Sequence, residues 1–360
     1  MTRLATFLVN GLGLGNSTRC DAIIRQLNER GWTIDVVTAG NGLWYFKDRS
    51  YIRRVHGMEE LQYAASNGKL SVFGTLRSLG DLFAIARRNG ALISRIIDDS
   101  DPAVVITDSV YTLKAGGKVR PPRVALNNSD VVHFGYRHFG SPPRSTAAQF
   151  HFVEQLDYLY HKLAPDMSIS PSIDPSIPAC CYNYHRVSPI VRPGYEERSP
   201  EPRNDRVVIM LSGSKFGSPV VLRADSYPFE VDITGRETSK NWTPIDHIRY
   251  HGRVKNTLPL LQGASLAVIN GGFSAVSEVF CMGIPAVIIP VENHAEQWLN
   301  AKTMVSLGLG LMSSEDNLER TMLEAWDRID EFNTAYKRLG PSPSGAQQAA
   351  TLIEGIANAE

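Results

Sequence analysis

The second half of the chain contains the stretch AVINGGFSAVSEVFCMGIPAVIIPVENHAEQWLNA at residues 267–301. An apolar strand ends at Asn270, Gly271 and Gly272 follow, and Phe273 opens a helix. The glycines permit a tight turn and close approach of the backbone, while the first N–H groups of a helix have no intrahelical partner. The stretch therefore predicts a binding site for a phosphate or diphosphate at the helix N-terminus.

Polar residues continue this predicted site on both sides of the next strand. Glu278 comes nearly two helical turns after Gly272, near enough for its carboxylate to accept hydrogen bonds from a ribose diol. The strand GIPAVIIP follows, and the polar run ENHAEQ at residues 292–297 comes after its carboxyl end. Ligands of open α/β sheets bind at the carboxyl ends of strands, so we expect this run at the same site.

Composition describes an ordinary globular protein without a nucleic-acid footprint. The 360 residues suggest two domains, with 43% apolar and 21% charged residues. Lys plus Arg and Asp plus Glu both number 37, so no nucleic-acid partner is expected. No apolar run reaches about 18 residues, and MTRLATFLVNG is interpreted as a strand and not as a signal peptide. Four cysteines without zinc spacing favour a reducing cytoplasm.

Alternating strand and helix patterns occur in both halves. They predict two doubly wound, Rossmann-like α/β domains that face each other across a cleft. The first domain is placed at residues 1–192 and the second domain at 205–342, with a linker at 193–204 inside a stretch dense in proline and serine. The remaining 343–360 form a helix that can cross back to the first domain.

The first domain opens with its own glycine-rich loop, TFLVNGLGLGNSTRCD at residues 6–21. Gly11, Gly13 and Gly15 alternate between a strand and a helix predicted to begin near Ser17. The loop is neither a Walker A motif nor a dinucleotide fingerprint, because the required Gly-Lys-Ser/Thr and third glycine are missing. A ligand loop and a plain strand-to-helix turn both remain open.

Residues 267–301 closely resemble the donor-sugar region of GT-B glycosyltransferases of the MurG and UDP-glycosyltransferase type. The shared pattern is Gly-Gly, a small polar residue, Glu, Gly-x-Pro, Pro, a Glu-Gln pair and Asn-Ala. In this chain its members are Gly271, Gly272, Ser274, Glu278, Gly283, Pro285, Pro290, Glu296, Gln297, Asn300 and Ala301. The loop GLGLGNSTR also looks like the Gly-x-Gly-His-x-x-Arg loop of a MurG-like subgroup.

The resemblance implies roles for individual residues. The donor diphosphate would be held by Gly271, Gly272, Phe273 and Ser274 together with Gly213 and Ser214, the ribose by Glu278, sugar hydroxyls by Glu296 and Gln297, and the nucleobase by Arg253 and Val254. His294 is either a further donor contact or a solvated loop histidine. Asn270 stands where many members have a histidine that donates to a phosphate; an asparagine still donates but carries no charge.

Inverting transfer needs a base for the acceptor hydroxyl, and the resemblance places a histidine where this chain has Asn16. An amide cannot accept that proton. Asp108, at the end of the strand in VVITDSV, is the predicted replacement, although an Asp there can equally be a helix N-cap. His133 and His138 are second choices for the base.

The acceptor is expected to lie against the first domain. Residues 133–150 are predicted as an irregular aromatic loop that forms an acceptor wall with Asn127 and Asn128; Gly13, Gly15 and His133 complete the acceptor side. The sequence offers no convincing D-x-D pair, so no metal ion and no cofactor besides the nucleotide sugar is expected.

The resemblance therefore implies an inverting glycosyltransferase that moves a hexose from a nucleotide diphosphate sugar to a small or lipid-linked hydroxyl acceptor. UDP is expected as the nucleotide because it is the most frequent one in the family. A UDP-sugar 2-epimerase and a non-catalytic nucleotide-sugar sensor are the alternatives. The segment 73–88, with Arg77, Arg87 and Arg88, reads either as a core-facing helix or as a peripheral membrane contact, which would place a cytoplasmic enzyme at the inner membrane face.

Overall fold

The computed structural model describes residues 3–60, 65–66, 69–70, 79–111, 120–140, 142–174, 176–196, 205–211, 220, 222, 227–236, 246–252, 254 and 256–359. The chain divides into two compact units. The first unit comprises Met1–Val131, Gln155–Arg192 and Ser344–Glu360. The second unit comprises Val132–Glu154 and Pro193–Pro343.

Strands and helices alternate along both units. The strands are β1 Leu4–Val9, β2 Thr33–Thr38, β3 Arg54–Gly57, β4 Ala65–Ser66, β5 Lys69–Leu70, β6 Val104–Asp108, β7 Arg123–Leu126, β8 Met167–Pro171, β9 Tyr184–Val187, β10 Arg206–Met210, β11 Glu230–Thr234, β12 Ile248–Gly252, β13 Leu266–Asn270, β14 Ala286–Ile289 and β15 Gly310–Met312. The helices are α1 Leu14–Glu29, α2 Gly40–Phe46, α3 Leu79–Ser100, α4 Ser129–His138, α5 Arg144–Gln149, α6 Gln155–Leu163, α7 Leu258–Leu261, α8 Phe273–Cys281, α9 Ala295–Ser306, α10 Leu318–Asp327, α11 Ile329–Leu339 and α12 Gly345–Ala357. A π-helical turn, Phe150–Glu154, connects α5 to α6.

The first unit is built on a sheet in the order β3-β2-β1-β6-β7-β8-β9, with every neighbouring pair parallel. Alternate side chains of its strands face opposite layers, as the period of two requires. Phe7 and Val9 are buried in a cluster with residues of α1 and α12, and Leu8 is buried in another with Ile93 and Ile97 of α3. The unit therefore has helices on both faces of a parallel sheet.

The C-terminal helix α12 packs on the first unit, which confirms the expected return of the chain. The Trp32 indole N–H donates to Glu354 Oε1 at 3.0 Å, and Arg30 Nη1 lies 2.7 Å from Glu354 Oε2. Ala350 and Ile353 are buried in the core that contains α1. The last helix of the chain thus completes a domain whose sheet comes from the first half of the sequence.

The second unit contains a parallel sheet in the order β12-β11-β10-β13-β14-β15. Val207, Ile209 and Val268 pack with Met322 of α10 and Phe332 of α11. The strand order reverses between β10 and β13 here, and between β1 and β6 in the first unit. These reversals are the switch points at which doubly wound sheets bind their ligands.

The expectation of an irregular loop over residues 133–150 is wrong. The segment 132–154 consists mainly of α4, α5 and the π-helical turn, and it groups with the second unit and not with the first. Its apolar residues Val132 and Phe150 pack on Trp298 and Leu299 of α9. Gly, Pro and Ser suggested a loop, but the segment is helical and its residues Tyr136, Phe139 and Phe150 pack against α9.

The segment considered for membrane contact forms a helix from Leu79 onward, and its contact with a membrane stays a prediction. α3 covers Leu79–Ser100, and Arg88 forms an exposed ion pair with Glu59 at 2.6 Å. Residues 73–78, including Arg77, lie outside the described residues. Within the described part of the chain, the helices are too short or too polar to span a bilayer.

Candidate active site

The loop between β1 and α1 carries the glycine-rich motif of the first unit. α1 begins at Leu14, earlier than the expected start near Ser17, and Gly13 is its N-cap residue. Asn16 therefore lies in the first helical turn and is half-buried. The turn has no acidic residue and no side-chain cap, so its free N–H groups can donate to an anionic or polar ligand.

Gly11 and Gly13 of this loop lie in different surroundings. A Cβ atom on Gly11 would lie 1.7 Å from the carbonyl oxygen of Ala39, so only glycine allows the two backbones to approach. The Asn41 N–H donates to the Gly11 carbonyl at 3.0 Å across the same contact. A Cβ on Gly13 would meet nothing within 4 Å. Packing explains Gly11, whereas Gly13 leaves space at the helix N-terminus.

Asp108 lies at the end of β6, as predicted, but its carboxylate is buried and bound to an arginine. Arg19 Nε donates to Oδ2 at 2.9 Å and Arg19 Nη2 donates to Oδ1 at 2.6 Å. The Cys20 thiol donates to Oδ2 at 3.5 Å, and burial together with the Asp108 charge raises the pKa of that thiol. Asp108 is 0% exposed. Both oxygens are therefore engaged inside the unit, which differs from a base open to an acceptor hydroxyl.

A second polar network, which the sequence did not predict, lies beside the carboxyl ends of β6 and β7. Asp157 of α6 accepts hydrogen bonds from Tyr111 at 2.6 Å and from Asn127 at 2.9 Å, and His161 Nδ1 lies 3.1 Å from its Oδ1. Burial acts to raise the pKa of Asp157, but the contacts with His161, Tyr111 and Asn127 outweigh it and lower the pKa. This network fixes Asn127 at the predicted acceptor side.

The acceptor-side residues do not all belong to one unit. Asn128 follows β7 and is buried in the first unit. His133 lies in α4, is half-buried and groups with the second unit, and His138 at the end of α4 is exposed. Gly15, like Asn16, lies in the first turn of α1.

The predicted diphosphate site follows β13 in the second unit. α8 begins at Phe273 with Gly272 as its N-cap, and the first turn, which includes Ser274, has neither an acidic residue nor a side-chain cap. A Cβ on Gly272 would meet nothing within 4 Å, whereas one on Gly271 would lie 2.5 Å from the Gln297 carbonyl oxygen. Open space in front of uncapped N–H groups is the geometry of an anion site.

Two asparagines hold this turn in place. Asn270 Nδ2 donates to the Ile289 carbonyl at 3.1 Å, and Asn300 Nδ2 donates to the Gly271 carbonyl at 2.9 Å. Asn270 and Asn300 therefore connect the ends of β13 and β14 and the helix α9. Glu278, which lies in α8 nearly two turns after Gly272, is 7% exposed.

The loop after β14 leads into α9, which carries the predicted sugar-binding pair. Glu296 is in the first turn of α9 and half-buried, where the positive helix end favours a carboxylate. Gln297 Oε1 accepts from the Val291 N–H at 3.0 Å, so its amide group is oriented by the loop. His294 is the N-cap residue without a side-chain cap bond, and its buried Nδ1 has no hydrogen-bond partner among the described residues.

A cavity of about 630 Å³ lies at the carboxyl ends of β14 and β15 in the second unit. Its walls come from the start of α5, the loop after β14, the first turn of α9, and the region from β15 to α10; they include Ser145, Thr146, Asn293, Trp298, Ser313 and Arg320. Asn293 has a left-handed backbone, with φ of 65°.

Four residues that follow β10 and β12 are predicted to contact the phosphates and the nucleobase, and only one of them lies in the described part of the chain. Val254 follows β12 and is half-buried. Gly213, Ser214 and Arg253 lie outside the described residues. No group of three or more His, Cys, Asp or Glu side chains suited to a metal ion occurs among the residues described above.

Comparison with known proteins identifies relatives over the whole chain. An uncharacterized glycosyltransferase of Methanosarcina acetivorans is 23% identical, and the match covers 96% of both chains. The UDP-N-acetylglucosamine–N-acetylmuramyl-(pentapeptide) pyrophosphoryl-undecaprenol N-acetylglucosamine transferase of Exiguobacterium sp. is 26% identical over 175 residues, which cover 42% of this chain and 48% of that enzyme.

Solved structures share the fold. MurG of Acinetobacter baumannii superposes with a TM-score of 0.59 at 14% identity, over 99% of this chain and all of MurG (100%). The calicheamicin glycosyltransferase CalG4 superposes with a TM-score of 0.63 at 18% identity, over 99% of this chain and 98% of CalG4. The family model of glycosyl transferase family 1 matches residues 5–328. The chain therefore belongs to glycosyl transferase family 1 and is a glycosyltransferase with the GT-B fold.

Proposed function

We propose that the protein transfers a hexose from a UDP-linked sugar to a hydroxyl group of its acceptor, with inversion at the anomeric carbon. The observation that carries this proposal is the uncapped N-terminus of α8, which begins beyond Gly271 and Gly272 beside a switch point of a parallel sheet. Its free N–H groups would bind the donor diphosphate and stabilise its charge as it leaves. The proposal thus needs no metal ion.

The remaining donor contacts would come from neighbouring elements of the same unit. Glu278 would accept hydrogen bonds from the ribose hydroxyls, and Glu296 and Gln297 would bind hydroxyls of the transferred sugar. Val254 and Arg253 would contact the nucleobase. UDP is supported by the Exiguobacterium relative, which is a transferase that uses UDP-N-acetylglucosamine and acts on a pyrophosphoryl-undecaprenol compound. A lipid-linked acceptor is therefore part of the proposal, and it would bring the enzyme to the inner face of a membrane.

The acceptor proton requires a base, and the candidates are Asp108 and His133 because Asn16 carries an amide. Asp108 would have to break its hydrogen bonds with Arg19 before it could act as the base. His133 offers an imidazole, which is the side chain most often used as a general base. Substitution separates the two: His133→Asn should abolish turnover and leave nucleotide binding intact if the imidazole is the base, whereas Asp108→Asn should do so if the carboxylate is the base.

Nucleotide binding tests the proposal directly. UDP, UDP-glucose and UDP-N-acetylglucosamine would be titrated calorimetrically and tested for thermal stabilisation, with TDP and GDP for comparison. We expect UDP compounds to bind, and Glu278→Gln to weaken binding about tenfold, because the amide lacks the negative charge and keeps only one of the two oxygens that would accept from the ribose. If no nucleoside diphosphate binds, the proposal fails.

The reaction itself is tested by product analysis. Incubation with a UDP-sugar and an acceptor panel, followed by NMR of the new glycosidic bond, should show the anomeric configuration opposite to that of the donor. Incubation without acceptor distinguishes the alternatives, since a 2-epimerase forms the epimer. The engagement of Asp108 by Arg19 specifically favours a non-catalytic sensor over an epimerase as the second candidate, and a sensor would bind without forming any product.

A further inference from the structure

The segment 132–154 reaches the helix that carries the predicted sugar-binding residues. Tyr136 and Phe150 stack with ring centroids 3.6 Å apart, and Phe150 packs with Trp298 and Leu299 of α9. A Cβ on Gly135 would lie 3.3 Å from a Leu299 side-chain carbon, so α4 approaches α9 closely. All these residues belong to the second unit.

One polar contact in this interface is directed at the N-terminus of α9. Gln149 Oε1 accepts a hydrogen bond from the backbone N–H of Ala295, the first residue of α9, at 2.8 Å. The N-cap residue His294 makes no cap bond of its own. A side chain 146 residues away in sequence therefore satisfies an N–H group that a local cap normally satisfies.

The π-helical turn orients this glutamine. Gln149 Nε2 donates to Glu154 Oε1 at 2.7 Å, a pair five positions apart. The backbone hydrogen bonds of a π-helix join residues five apart, so the π-helical turn Phe150–Glu154, which directly follows Gln149, favours the approach of the Gln149 and Glu154 side chains. With its NH₂ group bound to Glu154, the amide presents its oxygen to Ala295.

We propose that Gln149 is a positioning residue that fixes the N-terminus of α9 and thereby orients Glu296 toward the donor sugar. Ala295 directly precedes Glu296. Gln297 is held independently by the Val291 N–H and by the contact of its carbonyl with Gly271, so α9 is anchored on two other sides. The sugar contact rests on the proposed function, whereas the anchoring of α9 does not.

The test uses Gln149→Met, which keeps the side-chain length but removes the acceptor. The matched control is Gln348→Met in the first unit, because Gln348 Oε1 accepts from the Ser188 N–H at the same 2.8 Å. Hydrogen–deuterium exchange should rise over residues 291–298 in Gln149→Met and stay unchanged there in the control. Unchanged exchange in Gln149→Met, or an equal rise in both variants, would overturn the proposal whatever the protein binds.

The affinities for UDP-sugar and for UDP distinguish a positioning role of Gln149 from a general loss of stability. The Kd for UDP-N-acetylglucosamine or UDP-glucose should rise about five- to tenfold in Gln149→Met, while the Kd for UDP should change less than about twofold. The exchanged pair Gln149→Glu with Glu154→Gln keeps an acceptor for Ala295 and should restore the affinity. Equal losses for UDP and UDP-sugar would contradict the sugar role, and a wild-type protein that binds neither would instead refute the proposed function.

Discussion

Asp108 lies at the predicted end of β6, but its hydrogen-bond partners differ from those expected of a catalytic base. It ends β6 at the switch point, yet Arg19 occupies both of its carboxylate oxygens. A buried charge left without its partner is strongly destabilising, whereas the removal of both charges can cost little. The contacts therefore favour a structural role for this pair, in addition to any part in proton transfer.

Asp108→Asn should lower the stability of the protein by about 3 kcal/mol, because Arg19 remains buried without a counter-charge. Adding Arg19→Met should recover part of that loss. Thermal unfolding midpoints of the two single variants and the double variant measure the coupling. A normal midpoint combined with a kcat reduced by orders of magnitude would instead identify Asp108 as the catalytic base.

Asp157 gives a pH-dependent prediction. Its pKa is lowered in the folded protein, so its contribution to stability is present above the unfolded pKa of about 3.9 and is lost as pH falls through the lower folded value. Asp157→Asn should therefore cost about 1–2 kcal/mol at pH 7 and less at pH 3. Urea unfolding at both pH values measures this, with Asp166→Asn as a more exposed carboxylate control; a constant difference would contradict the assignment.

At the level of elements, α8 and α1 repeat the same design. Each follows a strand at a switch point, begins at a glycine N-cap, and lacks both a capping side chain and an acidic first turn. The local sequence explains this, since glycine at the N-cap provides no side-chain oxygen. Both helices therefore expose backbone donors, and a Cβ on either N-cap glycine, Gly13 or Gly272, would meet nothing within 4 Å.

A carboxylate placed in the first turn of α8 should separate helix stability from ligand binding. Ser274→Asp is expected to leave the unfolding midpoint unchanged or raise it slightly, because the helix dipole favours the negative charge. The same charge should repel the donor diphosphate and weaken UDP binding at least tenfold. Calorimetry and thermal unfolding test the two effects, and Ser274→Asn is the uncharged control. Unaltered UDP affinity in Ser274→Asp would exclude α8 as the phosphate site.

On the scale of the whole molecule, sequence order and domain membership do not coincide. The first unit is closed by α12 from the end of the chain, and the second unit takes residues 132–154 from the first half of the chain. Each returning segment buries apolar side chains against its host, namely Ala350 and Ile353 in one case and Phe150 in the other.

Removal of residues 344–360 should destabilise the first unit and not the second. The truncated chain loses the buried face of α12 and the Glu354 contacts with Trp32 and Arg30. Hydrogen exchange should increase in α1 while α8 and α9 keep their protection. The substitution Glu354→Gln is a milder comparison that removes only the charge. Faster exchange in α8 instead of α1 would contradict the assignment of α12 to the first unit.

Much of the architecture was predictable from local pattern. Period-two apolar strands, alternating helices and Gly271-Gly272 before a helix are short-range features, and they led to two parallel α/β sheets and to the N-terminus of α8. Asn16 likewise was informative by residue type alone, because an amide cannot act as a base.

Three features were decided only by the tertiary structure. Arg19 pairs with Asp108 across 89 positions, Gln149 bonds Ala295 across 146, and residues 132–154 group with the second unit. Local periodicity cannot encode such partners, because each contact depends on where distant elements pack. The sequence by itself thus determined the elements and the family resemblance, whereas burial and long-range hydrogen bonding decided which polar groups are engaged and which stay available to a ligand.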